Sequence, residues 1–474
     1  NQGSPALAYN ADRNEYLAAW VEAAPPPASI RVLRLGAEGQ PLGGGLELSA
    51  SGDASQVQVV YQPARQRYLV VWGGWRGVYA RFVSADGQVV GEPVAIYQST
   101  NPGTVDTVRV VYQPADDIFL IAYRLSNANG AVQRVTADGV LAGGPVAVDF
   151  TLDSQAFDMT ADTGTGKSLL VFHSQYWGNR IWSAWIEPST QTLSPTVLYE
   201  DPQSRPVRHP AAAFGLGATR YAVVWEQVVD FSAGYEPHGL TVQPIAPDGA
   251  LPVGPTRILS DTGQPVAPRV AYGSGDQFLV VWPYQYSLPG WATAVTQISG
   301  QRIDAGGAAV GAPILVSTAM TSTNGMAASK TQVAVAYNTQ RGEYLVAWSD
   351  TRTGSGMIWA QRLSSTGQLL DNSWTLADET NPANNFRISP AKGIRFNTII
   401  DNAGYGMQLS GAAAGSVAID HNNIFGNEGY DLYLASGSAG SQNFTVNAAN
   451  NFWNVDASQI PGRIRDCVFD ENSC

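Results

Sequence analysis

Lysine is nearly absent from this sequence. Only Lys167, Lys330 and Lys392 occur in 474 residues, and the other basic residues are arginines. Lys+Arg total 27 against Asp+Glu 39, a formal net charge of -12. That balance leaves no basic groove for a nucleic-acid backbone. Charged residues make up 14%, low for a cytosolic globular protein. Histidine is equally scarce. His173, His209, His238 and His421 fall in different parts of the chain at no metal-ligand spacing, and His173 reads as a structural, hydrogen-bonded residue. No D-x-D-x-D-G calcium loop is present, which leaves open only a calcium site built from scattered residues. No apolar run reaches the length of a membrane helix, and no segment carries a helical period. The two cysteines, Cys467 and Cys474, have six residues between them at the end of the chain. They read as a small terminal disulfide, suited to an oxidising compartment.

Aromatics, glycine and proline are abundant instead: Trp 13, Tyr 20, Phe 14, Gly 49, Pro 28. They recur in register. Seven short apolar runs end in an aromatic, at Trp20, Trp72, Tyr123, Phe172, Trp225, Trp282 and Trp348, spaced by 52, 51, 49, 53, 57 and 66 residues. A second aromatic precedes most of them by eleven residues, at Tyr9, Tyr61, Tyr112, Phe214 and Tyr337, and by ten at Tyr272. The fourth unit has Ala161 there. Each unit continues with a third run, a turn such as "SADGQ" or "SSTGQ", and a fourth run. Short β-branched and apolar runs broken by Asp-Gly or Gly-Gln are strand and hairpin signals. Four strands per roughly 50 residues, repeated seven times, predict an all-β, seven-bladed β-propeller. The strand-end aromatics are then core residues between blades.

One motif competes with this reading. Ala161 to Ser168, "ADTGTGKS", matches a phosphate-binding loop apart from its first residue. Such a loop must follow a strand and open a helix, whose N-terminus holds the phosphate. Here a strand, "SLLVF", follows. The match reads as a plain hairpin, equivalent to "NADRNE" in the first unit and "NTQRGE" in the seventh, and no cofactor is expected.

The patterns "Y-N-x-x-x-x-E-Y-L-V-x-W" and "A-Q-R-L-x-x-x-G", plainest from Tyr337 to Gly367, resemble seven-bladed propellers of secreted bacterial proteins. The propeller is assigned to residues 1–378. After Asp378 the composition shifts to Asn, Gly and Ala. Two stretches then align at a period of 25, "IRFNTIIDNAGYGMQL" from Ile394 and "IDHNNIFGNEGYDLYL" from Ile419, matching Asn397 with Asn422, Ile399 with Ile424 and Met407 with Leu432. One Asn and a few aliphatic residues per coil resembles right-handed parallel β-helix proteins of the pectate-lyase-like type. Residues 379–474 are therefore expected to form a short β-helix segment. A few coils need neighbours or capped ends to be stable, so this segment is expected to contact the propeller, further chain or another subunit.

Candidate chemistry is sparse. Asp86, Asp138 and Asp248 precede glycines and read as turn residues. Asp350 reads as the start of a loop. The first strands of the units ("ALAY", "VQVVY", "VRVVY", "RVAY") look small and apolar, which predicts an uncharged central channel and no catalytic residues. The loops after the second strands are more suggestive. They carry Trp75, Tyr176 and Trp177, Tyr235, and Tyr284, Tyr286 and Trp291. Trp75, Trp177, Tyr286 and Trp291 are the candidate ligand-binding set, since exposed aromatics stack on sugars and anchor protein partners. The expectation is a non-enzymatic, extracellular or cell-surface scaffold or adhesion module that self-associates or binds a protein through its C-terminal solenoid. The alternative is a polysaccharide-binding or polysaccharide-degrading protein.

Overall fold

The computed structural model describes residues 2–23, 28–52, 54–98, 105–125, 129–149, 157–174, 179–187, 190, 192–228, 238–260, 264–286, 295–317, 329–351, 356–370 and 374–375, with short strands between 394 and 466. The chain divides into two compact units, Asn1–Leu370 and Asp371–Cys474. No described helix is long and apolar enough to cross a membrane.

The first unit is a seven-bladed β-propeller. Its seven antiparallel sheets run in chain order from the centre outward. The innermost strands are Gln2–Asn10, Ala54–Gln62, Val105–Gln113, Phe157–Ala161, Val207–Gly215, Arg269–Tyr272 and Lys330–Asn338. In blade 6 a short extra piece, Gln264–Pro265, pairs with the same second strand. Each innermost strand packs on the next, and that of blade 7 packs on that of blade 1, so the ring closes. The second strands, such as Arg67–Gly74 and Glu343–Asp350, are buried almost end to end. Sandwiching a strand between neighbouring blades covers both its faces. That is why "YLVVW" and "YLVAW" read as continuous apolar runs rather than as alternating ones.

The repeated residues each have a mechanical role. Trp20, Trp72, Tyr123, Phe172, Trp225, Trp282 and Trp348 are all buried, as the repeat predicts. Trp72, Trp225, Trp282 and Trp348 each pack into a cluster shared with the preceding blade. In six of the units the earlier aromatic faces its cross-strand neighbour: Tyr9 and Tyr16, Tyr61 and Tyr68, Tyr112 and Phe119, Phe214 and Tyr221, Tyr272 and Phe278, and Tyr337 and Tyr344, at 4.7–5.3 Å between ring centroids. The glutamine of the "Q-R" pair in the third strand is buried and ties down the turn that follows. Gln133 Nε2 donates to the Arg134 and Gly143 carbonyls, and Gln301 Nε2 to those of Arg302 and Val310. Those turns place Gly39, Gly87, Gly139, Gly249, Gly307 and Gly367 at φ from +81° to +89°, the left-handed region that glycine enters without steric penalty.

The residue after the inner aromatic joins one blade to the next. Gln62 Nε2 donates to Asp117 Oδ1 at 2.9 Å, and Gln113 Nε2 to Ser168 Oγ at 2.9 Å. The same bond closes the ring, where Asn338 Nδ2 donates to Asn14 Oδ1 at 2.7 Å. At the opposite face of this seam, the Gln2 amide donates to the Gly356 carbonyl at 2.7 Å, and Ser349 Oγ donates to the Gln2 carbonyl at 3.0 Å.

The phosphate-loop look-alike is the hairpin between the first two strands of blade 4. Asp162 Oδ1 accepts the Gly164 amide at 2.8 Å, and Thr165 Oγ1 donates to Asp162 Oδ2 at 2.7 Å. Lys167 pairs with Glu187 at 3.0 Å, and Ser168 starts the next strand. The groups that would hold a phosphate are engaged within the hairpin and with neighbouring side chains. Asp86 and Asp138 sit in turns as read, and each pairs with an arginine of the preceding blade, Arg13 and Arg65. Asp248 accepts the Ala250 amide within its own turn. Asp350 does not open a solvent loop. It is fully buried at the end of its strand and accepts the Trp348 indole N–H at 3.0 Å.

In the second unit the described strands pair in parallel. Ile399 lies beside Ile424 and Met407 beside Leu432, the 25-residue offset found in the sequence. Gly415–Asp420 pairs with Phe444–Asn447, and Leu432–Leu434 with Ile464–Asp466. Cys467, Cys474, Asn397, Asn422 and His421 lie outside the described residues.

Two outcomes test this packing. Trp348→Ala is expected to remove about 3–5 kcal/mol, read from the urea midpoint of the full chain; an unchanged midpoint contradicts the inter-blade role. Asp201 joins blades 4 and 5. It is buried, which pushes its carboxyl up, but Arg205 at 2.8 Å, the Arg205 and Gln203 amides and the Tyr199 hydroxyl outweigh this and bring it down to about 2. A depressed carboxyl stabilises the fold above its unfolded value near 4, and that gain is lost as pH falls toward 2. Asp201→Asn should therefore lower stability at pH 7 by about 2 kcal/mol and flatten the stability slope between pH 4 and 2. The same slope in both proteins would show that Asp201 titrates normally.

Candidate functional site: the mouth of the central channel

The channel opens at the face where the innermost strands begin. The start of each first strand pairs with the end of the second, as in Ala54 with Gly74. The loops after the second strands therefore stand on this same face. A cavity of about 410 Å³ occupies the mouth, lined by six of the seven blades.

Two positions counted back from the inner aromatic build its wall. Five residues back lie Ser4, Gln56, Thr107, His209, Ala267 and Gln332, and all six line the cavity. Ser4, His209, Ala267 and Gln332 hold φ of 50°, 48°, 44° and 52°. Three of them precede a proline (Pro5, Pro210, Pro268), and register shifts at the same place mark bulges in blades 1, 5 and 7. A non-glycine residue in this region carries strain of about 1–3 kcal/mol. The bulge explains the arrangement: it breaks the ladder and re-aims side chains toward the channel. Ser4 N–H donates to Gln332 Oε1 at 2.6 Å, so the ring of strained residues is itself cross-linked.

Three residues back lie Ala6, Gln58, Arg109, Asp158, Ala211, Arg269 and Ala334. Here the expectation of an uncharged channel is overturned. Arg109 Nε donates to Asp158 Oδ1 at 2.8 Å, and Asp158 Oδ2 accepts the Ala212 amide of blade 5 at 3.1 Å. Arg269 enters from blade 6, three blades away, and senses both charges. Burial, followed by the like charge of Arg109, pulls its guanidinium down to about 10. Its NH1 donates to the Pro268 carbonyl at 2.9 Å, and it forms no ion pair among the described residues. The apolar consensus of these strands hid the charges, since each blade contributes one polar residue at most at this position. Lining up the first strands on their aromatic is the signal that finds them.

Two further pairs support the wall. His209 Nδ1 lies 2.8 Å from Glu226 Oε2, and its ring is 6.2 Å from that of His173. The Lys330 ammonium is buried, donates to the Thr296 carbonyl at 3.0 Å and lies 3.9 Å from Asp350. Among the described residues no group of three or more His, Cys, Asp or Glu is placed to hold a metal ion.

Of the candidate aromatics, Trp75 is 51% exposed at the tip of the hairpin joining Gly74 to Gly77, on the mouth face. The Tyr286 backbone ends the second strand of blade 6, opposite Val295. The Tyr286 side chain, Trp177 and Trp291 lie outside the described residues, as do Tyr176 and Tyr235.

No protein-family model matches the chain, and no curated protein matches its sequence. Among solved structures, it is similar to a polysaccharide lyase of family PL25, an ulvan lyase, at 10% identity and a TM-score of 0.49, covering 77% of this chain and 92% of that one. It is also similar to the β-propeller domain of the Trilobed protease from Pyrococcus furiosus, at 7% identity and a TM-score of 0.48, covering 80% and 99%. The Dos1 propeller matches at 10% identity and a TM-score of 0.43, covering 80% and 85%.

Proposed function

We propose that the chain is an extracellular or cell-surface binding module whose propeller takes its ligand at the channel mouth. The observation that supports this best is the 410 Å³ cavity, to which six blades contribute strand starts. Its size lies within the range of small-molecule sites. Strained residues gathered at one rim are the usual mark of a site rather than of a scaffold. Trp75, exposed on the same face as the polar mouth, offers an apolar platform of the kind that carbohydrate recognition uses.

The C-terminal unit is assigned the second half of the function. Read as a short right-handed β-helix, it has outer strands that pair on one side only among the described residues, an arrangement that recruits further strands. A head-to-tail contact of this kind builds rings or filaments rather than a closed dimer. On this reading the chain is a scaffold or adhesion element that displays a binding propeller.

A second reading, processing of a polysaccharide, is favoured by one observation. Glu226 holds Nδ1 of His209 at the cavity wall, the arrangement that orients an imidazole for proton transfer.

Two experiments test the proposal. Glycan-array screening of the full chain, repeated with Trp75, Trp177, Tyr286 and Trp291 changed to Ala, is expected to find a ligand whose binding weakens in that variant. A ligand indifferent to all four places the binding face elsewhere, and new reducing ends during incubation identify the processing reading. Sedimentation and electron microscopy of the full chain should reveal polymers that deletion of residues 380–474 abolishes, with the propeller still folded. A monomer at high concentration would end the assembly half.

A further inference from the structure

We propose that the channel mouth is a carboxylate-binding site, with Arg269 as the group that meets the anion and Arg109 as the fixed charge behind it. This deepens, and rests on, the reading of the mouth as the binding face. Arg269 and Arg109 come from blades three apart in a ring of seven, so their side chains converge across the channel. Arg109 is spoken for: Asp158 takes its Nε, and the Val108 carbonyl accepts from its NH1 at 2.8 Å. Arg269 is not. Among the described residues only the Pro268 carbonyl accepts from it, although a guanidinium presents five N–H donors in a planar fork.

The nearby carboxylates are engaged elsewhere: Asp158 by Arg109, Asp350 near Lys330, and Glu226 against His209. Arg269 stands half-buried at the cavity wall and forms no ion pair among the described residues. Holding a cation there is unfavourable without a partner, and its lowered affinity for the proton reports that penalty. A ligand carboxylate would relieve it through two parallel N–H···O bonds, the geometry that arginine matches best. The side-chain amides of Gln56 and Gln58 and the Nε2 of Gln332, all at the cavity wall, offer donors and acceptors to ligand hydroxyls. The chemistry selected is a polyhydroxylated carboxylate, whether a uronic-acid unit of a polymer or a free hydroxy acid.

The test is calorimetry on the full chain with four probes: tri-galacturonate, tri-glucuronate, cellotriose as the neutral control, and citrate as a free hydroxy acid. Wild type, Arg269→Met, Arg269→Lys and Trp75→Ala are compared, with thermal unfolding confirming that each variant is folded. A uronate oligomer is expected to bind, to weaken 10- to 100-fold in Arg269→Met, to recover only in part in Arg269→Lys, and to weaken as salt rises. Citrate binding without uronate binding, with the same dependence on Arg269, identifies a free acid as the source and sustains the proposal. Equal binding of cellotriose and of uronates, unchanged in Arg269→Met, overturns the carboxylate assignment while leaving the binding face standing. Loss in Trp75→Ala with no change in either Arg269 variant moves the ligand out of the channel. Absence of binding by every carboxylate probe at millimolar concentration overturns the site altogether.

Discussion

The aromatic that ends each second strand is the wedge on which the ring depends. A four-stranded blade has two apolar faces and cannot bury either alone. Trp72, Trp225, Trp282 and Trp348 seal one blade against the face of the one before it, each removing a large aromatic area from water. With the ring closed, each blade packs on a neighbour at either side. The inner aromatic pairs and the Gln–turn bonds then fix where the wedge stands. Where blade 4 has Ala161 and Ser168 in place of the aromatic pair, a hydroxyl and a neighbour's glutamine fill the joint instead.

Closing the ring brings seven strand starts to one small circle, and this makes the mouth a place for chemistry. Small residues at Ala6, Ala211 and Ala334 open the room, and larger polar residues at Gln58, Arg109, Asp158 and Arg269 use it. The repeat supplies a frame whose equivalent positions can each be altered separately. Charge accumulates at the mouth without disturbing the wedges, because the channel-facing and blade-facing sides of a strand alternate.

The architecture was legible because its signals repeat. An aromatic eleven residues before another, or a glycine after a turn, gains force when it recurs in register, and the 25-residue offset near the C-terminus reappears as strand register between Ile399 and Ile424. The mouth was not legible for the opposite reason. Arg109 and Arg269 are exceptions within an apolar consensus, and a reading tuned to what repeats discards exceptions. Their partners also come from other strands: Asp158 from the next blade, and Glu226 for His209 from the adjoining strand. Asp350 misled in a related way, since its burial follows from the Trp348 indole and Lys330 rather than from its place after a strand. The Ser-Pro, His-Pro and Ala-Pro steps at residues 4, 209 and 267 were visible marks of a break in the strand, and their shared offset from the aromatic points to the rim.

The seam between blades 7 and 1 is held by the same side-chain bond that joins blade 2 to blade 3, Asn338 to Asn14 in one case and Gln62 to Asp117 in the other. No blade is assembled from both ends of the propeller; each is one continuous segment. Such a molecule has no privileged starting point. Cutting it at another joint and linking the old ends would yield the same ring, and copying one segment in frame would insert a complete wedge with its own seal and latch. The covalent chain therefore imposes no requirement for seven; the ring size is set by how tightly the wedges fit.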